Sequence, residues 1–307
     1  MPPHRIFNPI TTALITGAAS GIGLAFAKRC HAYGMKVALV DINSSALASA
    51  QTSILESKSS GNSSAAVKTY TVDVSNIEDW RDLKAKVEMD FGLVGLLMLN
   101  AGISGKGGGS GAGWEDSGNF HTTEEDKKGN RLTEVIQVME TNYFGTLHGI
   151  STFLPSLRSL PTSSPSAIII TGSKQGITNP PGNPAYNASK AAIKTLAEHL
   201  SYDLRDTSTD VFMLVPGWTH TGLTKRSGQT EKPEGAWWPE QVVEYLEGKM
   251  GEGTFYVICP DGDVSEEEDR KRMRWGVGDI VEGRPPLSRW REGYKNDAKK
   301  WMEDQEG

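Results

Sequence analysis

Cysteine is nearly missing from this chain: two of 307 residues, Cys30 and Cys259. Disulfide frameworks belong to much shorter, cysteine-dense chains, so both are read as reduced thiols, one on a helix and one on a buried strand. No apolar run approaches the ~20 residues that cross a bilayer, and the start, "MPPHRIFNPITT", carries no apolar segment of the secretory kind. These absences point to a reducing compartment, the cytoplasm by default, and to no membrane partner. Basic clusters are lacking too. With 32 Lys and Arg against 38 Asp and Glu the net charge is −6, which argues against nucleic acid as partner. The histidines show no H-x-x-x-H spacing, and Cys30-His31 cannot close a metal site alone, so no catalytic metal is expected.

What the chain does have is a repeated alternation. Seven short apolar segments, at 12–17, 36–41, 67–73, 95–100, 167–173, 211–217 and 254–261, are rich in Val, Ile, Leu and Thr and mostly lack in/out alternation. Strands covered on both faces look like this. Helical patterns lie between them at 22–33, 44–58, 76–90, 129–158, 184–206 and 239–249. Repeated β-α units predict an α/β fold: a doubly wound, seven-stranded parallel sheet with helices on both faces. With no internal repeat and no linker, one domain is expected over residues 1–307, with a core at about 10–262 and an extra tail at 263–307. A glycine-rich, then polar stretch at 105–130 follows the fourth strand, where open α/β sheets bind ligands. It reads either as an insertion or as a lid. The tail's "SEEEDRKRMRWG" reads as a solvated, charged helix, and Trp275, Trp290 and Trp301 suggest packing on the body or on a second subunit.

Two local patterns suggest chemistry. "TGAASGIG" (16–23) closes the first strand and opens the first helix. Gly17 suits the turn, Gly21 a close approach to ligand and Gly23 tight helix–strand packing, while the free N–H groups of the first helical turn suit a pyrophosphate. Asp41, at the end of "KVALVD", is placed to accept hydrogen bonds from the adenosine ribose and to repel a 2′-phosphate. No Arg or Lys follows it directly, so NAD is preferred over NADP. The second pattern is "YNASK": Tyr186 and Lys190 stand one helical turn apart on one face.

Together these segments resemble the short-chain dehydrogenase/reductase family. The T-G-x-x-x-G-x-G loop, including Ser20 and Ile22, matches residues 16–23; Asp73-Val74 match the "D-V" after the third strand; Asn100-Ala101-Gly102 match most of "N-N-A-G". Asn142, Ser173 and the Tyr186/Lys190 pair, with thirteen residues from serine to tyrosine, match the family's catalytic positions, and Pro216-Gly217 with Thr221 match its "P-G" turn and following threonine. The resemblance covers roughly residues 10–262 and departs from the family in the long stretch between Asn100 and Asn142 and in the tail. It implies a Rossmann fold, a nicotinamide cofactor, an alcohol or ketone substrate, and a homodimer or homotetramer formed through helices 129–158 and 184–206. It also implies that Asp73-Val74 hold the adenine and that Thr219 and Thr221 position the carboxamide.

Oxidising an alcohol removes a hydroxyl proton as hydride leaves carbon, so the acceptor should titrate near the working pH. Bringing a tyrosine from ~10 to ~7–8 takes about 3–4 kcal/mol. A lysine ammonium one turn away, together with the cofactor's positive ring, is expected to supply it. Tyr186 is then general acid/base and Lys190 its electrostatic partner and ribose ligand. Ser173 holds the substrate oxygen, and Asn142 joins a proton relay through water to Lys190. The function expected is interconversion of a secondary alcohol and a ketone on a small apolar or cyclic substrate. Trp218, Trp237 and Trp238 read equally as substrate contacts or as core. The alternatives are a binding protein without redox work, and a member of secondary metabolism that uses NADP(H) or does non-redox chemistry with the cofactor as structural support.

Overall fold

All seven apolar segments enter one parallel sheet. The computed structural model describes residues 3–57, 65–105, 131–161, 163–224, 231–262 and 264–305, with only the backbone over 131–134. The strands are β1 (Thr12–Thr16), β2 (Lys36–Asp41), β3 (Val67–Thr71), β4 (Leu96–Leu99), β5 (Ser166–Thr171), β6 (Thr209–Val215) and β7 (Tyr256–Ile258), in the order β3-β2-β1-β4-β5-β6-β7. Every pairing is parallel. The strand order reverses between β1 and β4, which opens a crevice at their carboxyl ends.

Alternate residues of each central strand feed two separate cores. Ala13, Ile15, Leu39, Met98, Ile169 and Leu214 face one layer; Leu14, Val40, Leu97, Leu99, Ile170 and Met213 face the other. The first layer is roofed by α1 (Gly21–Ala32), α2 (Ser44–Leu55) and α8 (Pro239–Gly251), through Phe26, Leu47 and Leu246. The second is roofed by α3 (Ile77–Phe91), α5 (Gly145–Arg158) and α7 (Pro184–Asp203), through Trp80, Phe153 and Ile193. Burial on both faces is why these strands read as unbroken apolar runs. The edge strand β3 differs: Val67 and Tyr70 are buried, one on each face, while Lys68 and Thr71 are exposed.

The expected helix at 129–158 is three pieces: α4 (Arg131–Met139), a π-helical turn (Glu140–Phe144) and α5. The short α6 (Lys174–Thr178) follows β5 and was not expected, because five residues carry no readable period. In the tail, α9 (Glu266–Val281) forms as expected and α10 (Lys295–Asp304) follows, but α9 is not simply solvated: it buries Asp269, Trp275 and Asp279. Nearly all of the 105–130 stretch lies outside the described residues.

Candidate active site

The crevice begins with the glycine loop. Gly17 (φ +65°) and Gly21 (φ +54°) sit in the left-handed region that disfavours side chains, and a Cβ on Gly23 would collide with the Gly17 carbonyl. Ser20 is the N-cap of α1, with no side-chain cap bond of its own, and Ile22 packs on the first core layer. The loop is therefore a bare backbone concavity over a helix N-terminus, the shape and polarity that receive a pyrophosphate. Asp41 stands beside it. One carboxylate oxygen accepts the Ala19 N–H (3.2 Å) and the other accepts the Asn43 N–H (3.0 Å), which fixes the carboxylate against the loop. These residues fit the adenosine and pyrophosphate part of a dinucleotide.

Beyond β3, Asp73 turns inward: its carboxylate accepts both the N–H (2.9 Å) and the hydroxyl (2.7 Å) of Ser75, while the Val74 carbonyl accepts the Trp80 indole N–H (2.9 Å). Asn100 laces three strand ends together. Its N–H donates to the Thr16 hydroxyl (2.9 Å), its amide donates to the Thr16 carbonyl (3.2 Å), and its amide oxygen accepts the Thr171 hydroxyl (3.2 Å). Ala101 N–H also donates to the Thr16 hydroxyl (3.0 Å), and Gly102 faces Asn142 and Lys190. The buried Thr16 and Thr171 are thus site-building residues missed by the sequence reading; each is the last residue of a strand feeding the crevice, which is the signal that could have found them.

Asn142 sits fully buried in the π turn. Its oxygen accepts the Ile103 N–H (2.8 Å), and its amide donates to the Ile103 carbonyl (2.9 Å) and to the Ser189 hydroxyl (3.0 Å). It pins the segment after β4 to α7.

On α7, Asn183 caps the helix by accepting the Tyr186 N–H (3.3 Å), and Pro184 occupies the first turn. Tyr186 and Lys190 are both buried, at 8% and 4% exposure. Ser173, at the carboxyl end of β5, hydrogen-bonds the Tyr186 phenol and caps α6 by accepting the Gln175 N–H (3.2 Å). The structure therefore brings Ser173, Tyr186 and Lys190 together, with Asn142 behind them. In the free protein burial pushes the Tyr186 phenol above its usual value, only partly offset by Ser173; the lowering expected from Lys190 together with the cofactor's ring belongs to the bound state. The Lys190 ammonium lies 5.6 Å from the Tyr186 ring centroid and donates to the Thr171 carbonyl (2.9 Å). Burial also pushes Lys190 itself down to about 8.

The last wall comes from the turn after β6. Pro216 and Gly217 follow the strand; buried Thr219 donates to the Gly217 carbonyl (3.2 Å), and Thr221 lies against Gly21 of the glycine loop. The turn is held by Trp237, which accepts the His220 N–H (2.8 Å) and donates its own N–H to the Trp218 carbonyl (2.8 Å). Trp237 packs on Tyr245 in the core, whereas Trp218 and Trp238 are about half exposed, at 46% and 47%. Trp237 thus takes the core reading. Among the described residues no helix is long and apolar enough to cross a membrane.

Residues 11–232 match the family model for short chain dehydrogenases. The chain is 30% identical over 211 residues to dehydrogenase/reductase SDR family member 7B of Rattus norvegicus, covering 69% of this chain but 58% of that protein. It is also 30% identical to the 1-deoxy-11-beta-hydroxypentalenate dehydrogenase of Streptomyces avermitilis, covering 70% of this chain and 71% of that one. Among solved structures, a short chain dehydrogenase/reductase from Burkholderia phymatum in complex with NAD superposes with a TM-score of 0.73 at 25% identity, covering 92% of this chain and 98% of that one. Glycine cradle, reversed strand order and Ser-Tyr-Lys cluster agree with these similarities: the chain belongs to the short-chain dehydrogenase family.

Proposed function

We propose that this protein interconverts a secondary alcohol and a ketone on a small apolar or cyclic substrate, with NAD(H) preferred over NADP(H). The observation that carries this is the Ser173–Tyr186–Lys190 cluster at the carboxyl end of β5 beside the glycine cradle, with Tyr186 and Lys190 buried. When bound, the dinucleotide supplies a hydride acceptor or donor. The chain does the rest. Gly17, Gly21 and Gly23 admit the pyrophosphate to the α1 N-terminus, Asp41 receives the ribose hydroxyls, and Thr219 and Thr221 border the nicotinamide end. Ser173 donates to the substrate oxygen. Tyr186 takes the hydroxyl proton during oxidation and returns it during reduction. Lys190 supplies positive charge and a donor for ribose hydroxyls. Asn142 serves this work by position, since its amide is committed to Ile103 and Ser189.

The raised phenol of the free protein makes the cofactor part of the tuning. A cationic ring beside Tyr186 stabilises phenolate and lowers its pKa on binding. The preference for NAD rests on Asp41: a carboxylate pinned by two backbone N–H groups cannot swing away from a 2′-phosphate. The Burkholderia phymatum protein, similar over nearly the whole chain, holds NAD. We also propose a homodimer or homotetramer that buries the outer faces of α4, α5 and α7, where Ile136 and Phe144 are exposed.

The test is NADH and NADPH absorbance against a panel of cyclic and aryl ketones and the matching alcohols. NADH is expected to be the better reductant, and Tyr186→Phe should lower kcat at least about 100-fold. Asp41→Ala should narrow the NADH-over-NADPH preference by about tenfold, near 1.4 kcal/mol. Undiminished turnover in Tyr186→Phe would refute the acid/base assignment, and an unchanged preference in Asp41→Ala would refute the ribose contact.

A further inference from the structure

Next to Ser173 stands a charged residue that the proposed chemistry does not use. Lys174 opens α6, and its side chain is only 13% exposed. Its ammonium pairs with two carboxylates from different parts of the chain: Asp261, in the turn after β7, and Asp269 of the tail helix α9, at 2.6 Å. Asp269 is the most enclosed of the three, with a side chain 1% exposed. It has one further cation, Arg272, at 3.5 Å. Asp261 in turn spans a third segment. It pairs with Lys174 through one oxygen and accepts the Trp218 N–H through the other. Its carboxylate lies so close to Gly217 that a Cβ there would sit 2.6 Å from its Oδ2. The Lys174 N–H donates to the Pro216 carbonyl (3.3 Å), closing the loop of contacts.

Three segments therefore meet at one largely enclosed cation: the Ser173 turn after β5, the Pro216-Gly217-Trp218 turn after β6, and the tail. Any of these segments shifting alone would leave a carboxylate or an ammonium buried without its partner, which is strongly unfavourable. Charge pairing thus adds to the apolar packing of Ile177 and Met273 against the second core layer. We propose that Lys174, Asp261 and Asp269 form a positioning triad through which the C-terminal tail holds Ser173 and the Pro216-Gly217-Trp218 turn in register for the reaction. This rests on the reading of Ser173 given above. Lys174 touches neither substrate nor cofactor in this role; it acts through its neighbour Ser173 and through Asp261. The tail becomes part of the active-site architecture and not an appendage.

The experiment uses the full chain and four variants: Lys174→Met, Asp269→Asn, Asp269→Glu and Ser173→Ala. The isosteric Asp269→Asn keeps the Lys174–Asp261 pair and serves if Lys174→Met does not fold. Two readouts are taken. The first is reduction of the most rapidly turned-over ketone of the panel, with the NADH dissociation constant measured by fluorescence. The second, independent of any substrate, is amide hydrogen exchange over residues 172–176 and 216–219. A misplacement of about 1 Å at a reacting group costs up to about 100-fold in rate. We expect Lys174→Met and Asp269→Asn to lower kcat by about 10–100-fold with NADH affinity held within about threefold. Exchange should rise at both peptide segments and not along α1, and Asp269→Glu should recover part of the rate. If kcat and exchange in Lys174→Met and Asp269→Asn match wild type while Ser173→Ala is inactive, the triad is refuted and the site reading stands. If rate and NADH binding fall together, the cluster acts on overall folding and the positioning role is refuted. If Ser173→Ala keeps full activity, the reading of the site fails and the inference falls with it.

Discussion

A buried lysine is a burden on the free protein, and Lys190 shows its size. Its value of about 8 lies below the ordinary 10.5, because burial disfavours the ammonium. The unfolded chain therefore binds more protons between those two values, so stability rises with pH across that window. The cost is full below about 8 and is relieved as pH approaches 10.5. Two and a half pH units correspond to about 3 kcal/mol, partly offset by about 1 kcal/mol from the bond to the Thr171 carbonyl. Lys190→Met is thus expected to unfold at higher urea than wild type at pH 7, by about 1–3 kcal/mol, and to lose most of that advantage at pH 10. An equal difference at both values would contradict the burial account. At the same scale, the residue identities of the site were legible in the sequence because each sits in a short motif with a backbone reason. The rise of the Tyr186 phenol in the free protein was not, since it follows from how deeply the side chain is buried, and spacing along a helix does not specify that.

At the scale of elements, the strands were readable because both faces are buried, and the failures fall where that condition lapses. The expected strand at 254–261 shrinks to Tyr256–Ile258, an edge strand whose first residue is exposed. The helix expected at 129–158 carries a π turn that no apolar period reveals, and its one buried side chain, Asn142, is polar. Asn142 must reach both the N–H and the carbonyl of Ile103 and also Ser189, and it does so from the π turn. Asn142→Leu is expected to leave those groups without partners and to cost about 2–4 kcal/mol in urea unfolding, about 1–3 kcal/mol for each unsatisfied group. A loss below 0.5 kcal/mol, roughly the scatter of surface substitutions, would show that the pin is dispensable.

For the whole molecule, the fold class was legible because β-α alternation admits few arrangements, whereas the docking of the tail was not. A run of four acids followed by basic residues looks like a solvated helix, and most of it is: Glu266–Arg270, Glu267–Lys271 and Glu268–Arg272 pair along its surface. Asp269 points the other way, to Lys174 of the body, and Trp275 turns onto the tail's own Trp301 and Arg284. The far end of α9 closes on itself. The Trp275 indole donates to the Ser288 hydroxyl (2.7 Å), Ser288 donates to Asp279 (2.6 Å), and Arg284 pairs with Asp279 (3.0 Å) while stacking on Trp275 (4.0 Å). Burial alone would push the Asp279 carboxyl up, but the Ser288 bonds and Arg284 hold it below its usual value. Its contribution to stability is therefore present above the ordinary carboxylate pKa and lost as pH falls through the depressed one. Asp279→Ala should raise hydrogen exchange across residues 279–305 at neutral pH while leaving the sheet unchanged; unchanged exchange there would contradict this role. Light scattering should give two or four copies of the chain per particle, and a monomer at micromolar concentration would contradict the proposed association through α4, α5 and α7.

The central claim is that Tyr186 carries the proton and that the bound dinucleotide tunes it. Its most direct test is phenolate absorbance near 295 nm, titrated with and without NAD and taken as the difference between wild type and Tyr186→Phe. The account predicts ionisation above the ordinary phenol value in the free protein and a fall below it, towards the working pH, with NAD bound. The same high value in both states, or no difference between wild type and Tyr186→Phe at any pH examined, would contradict it.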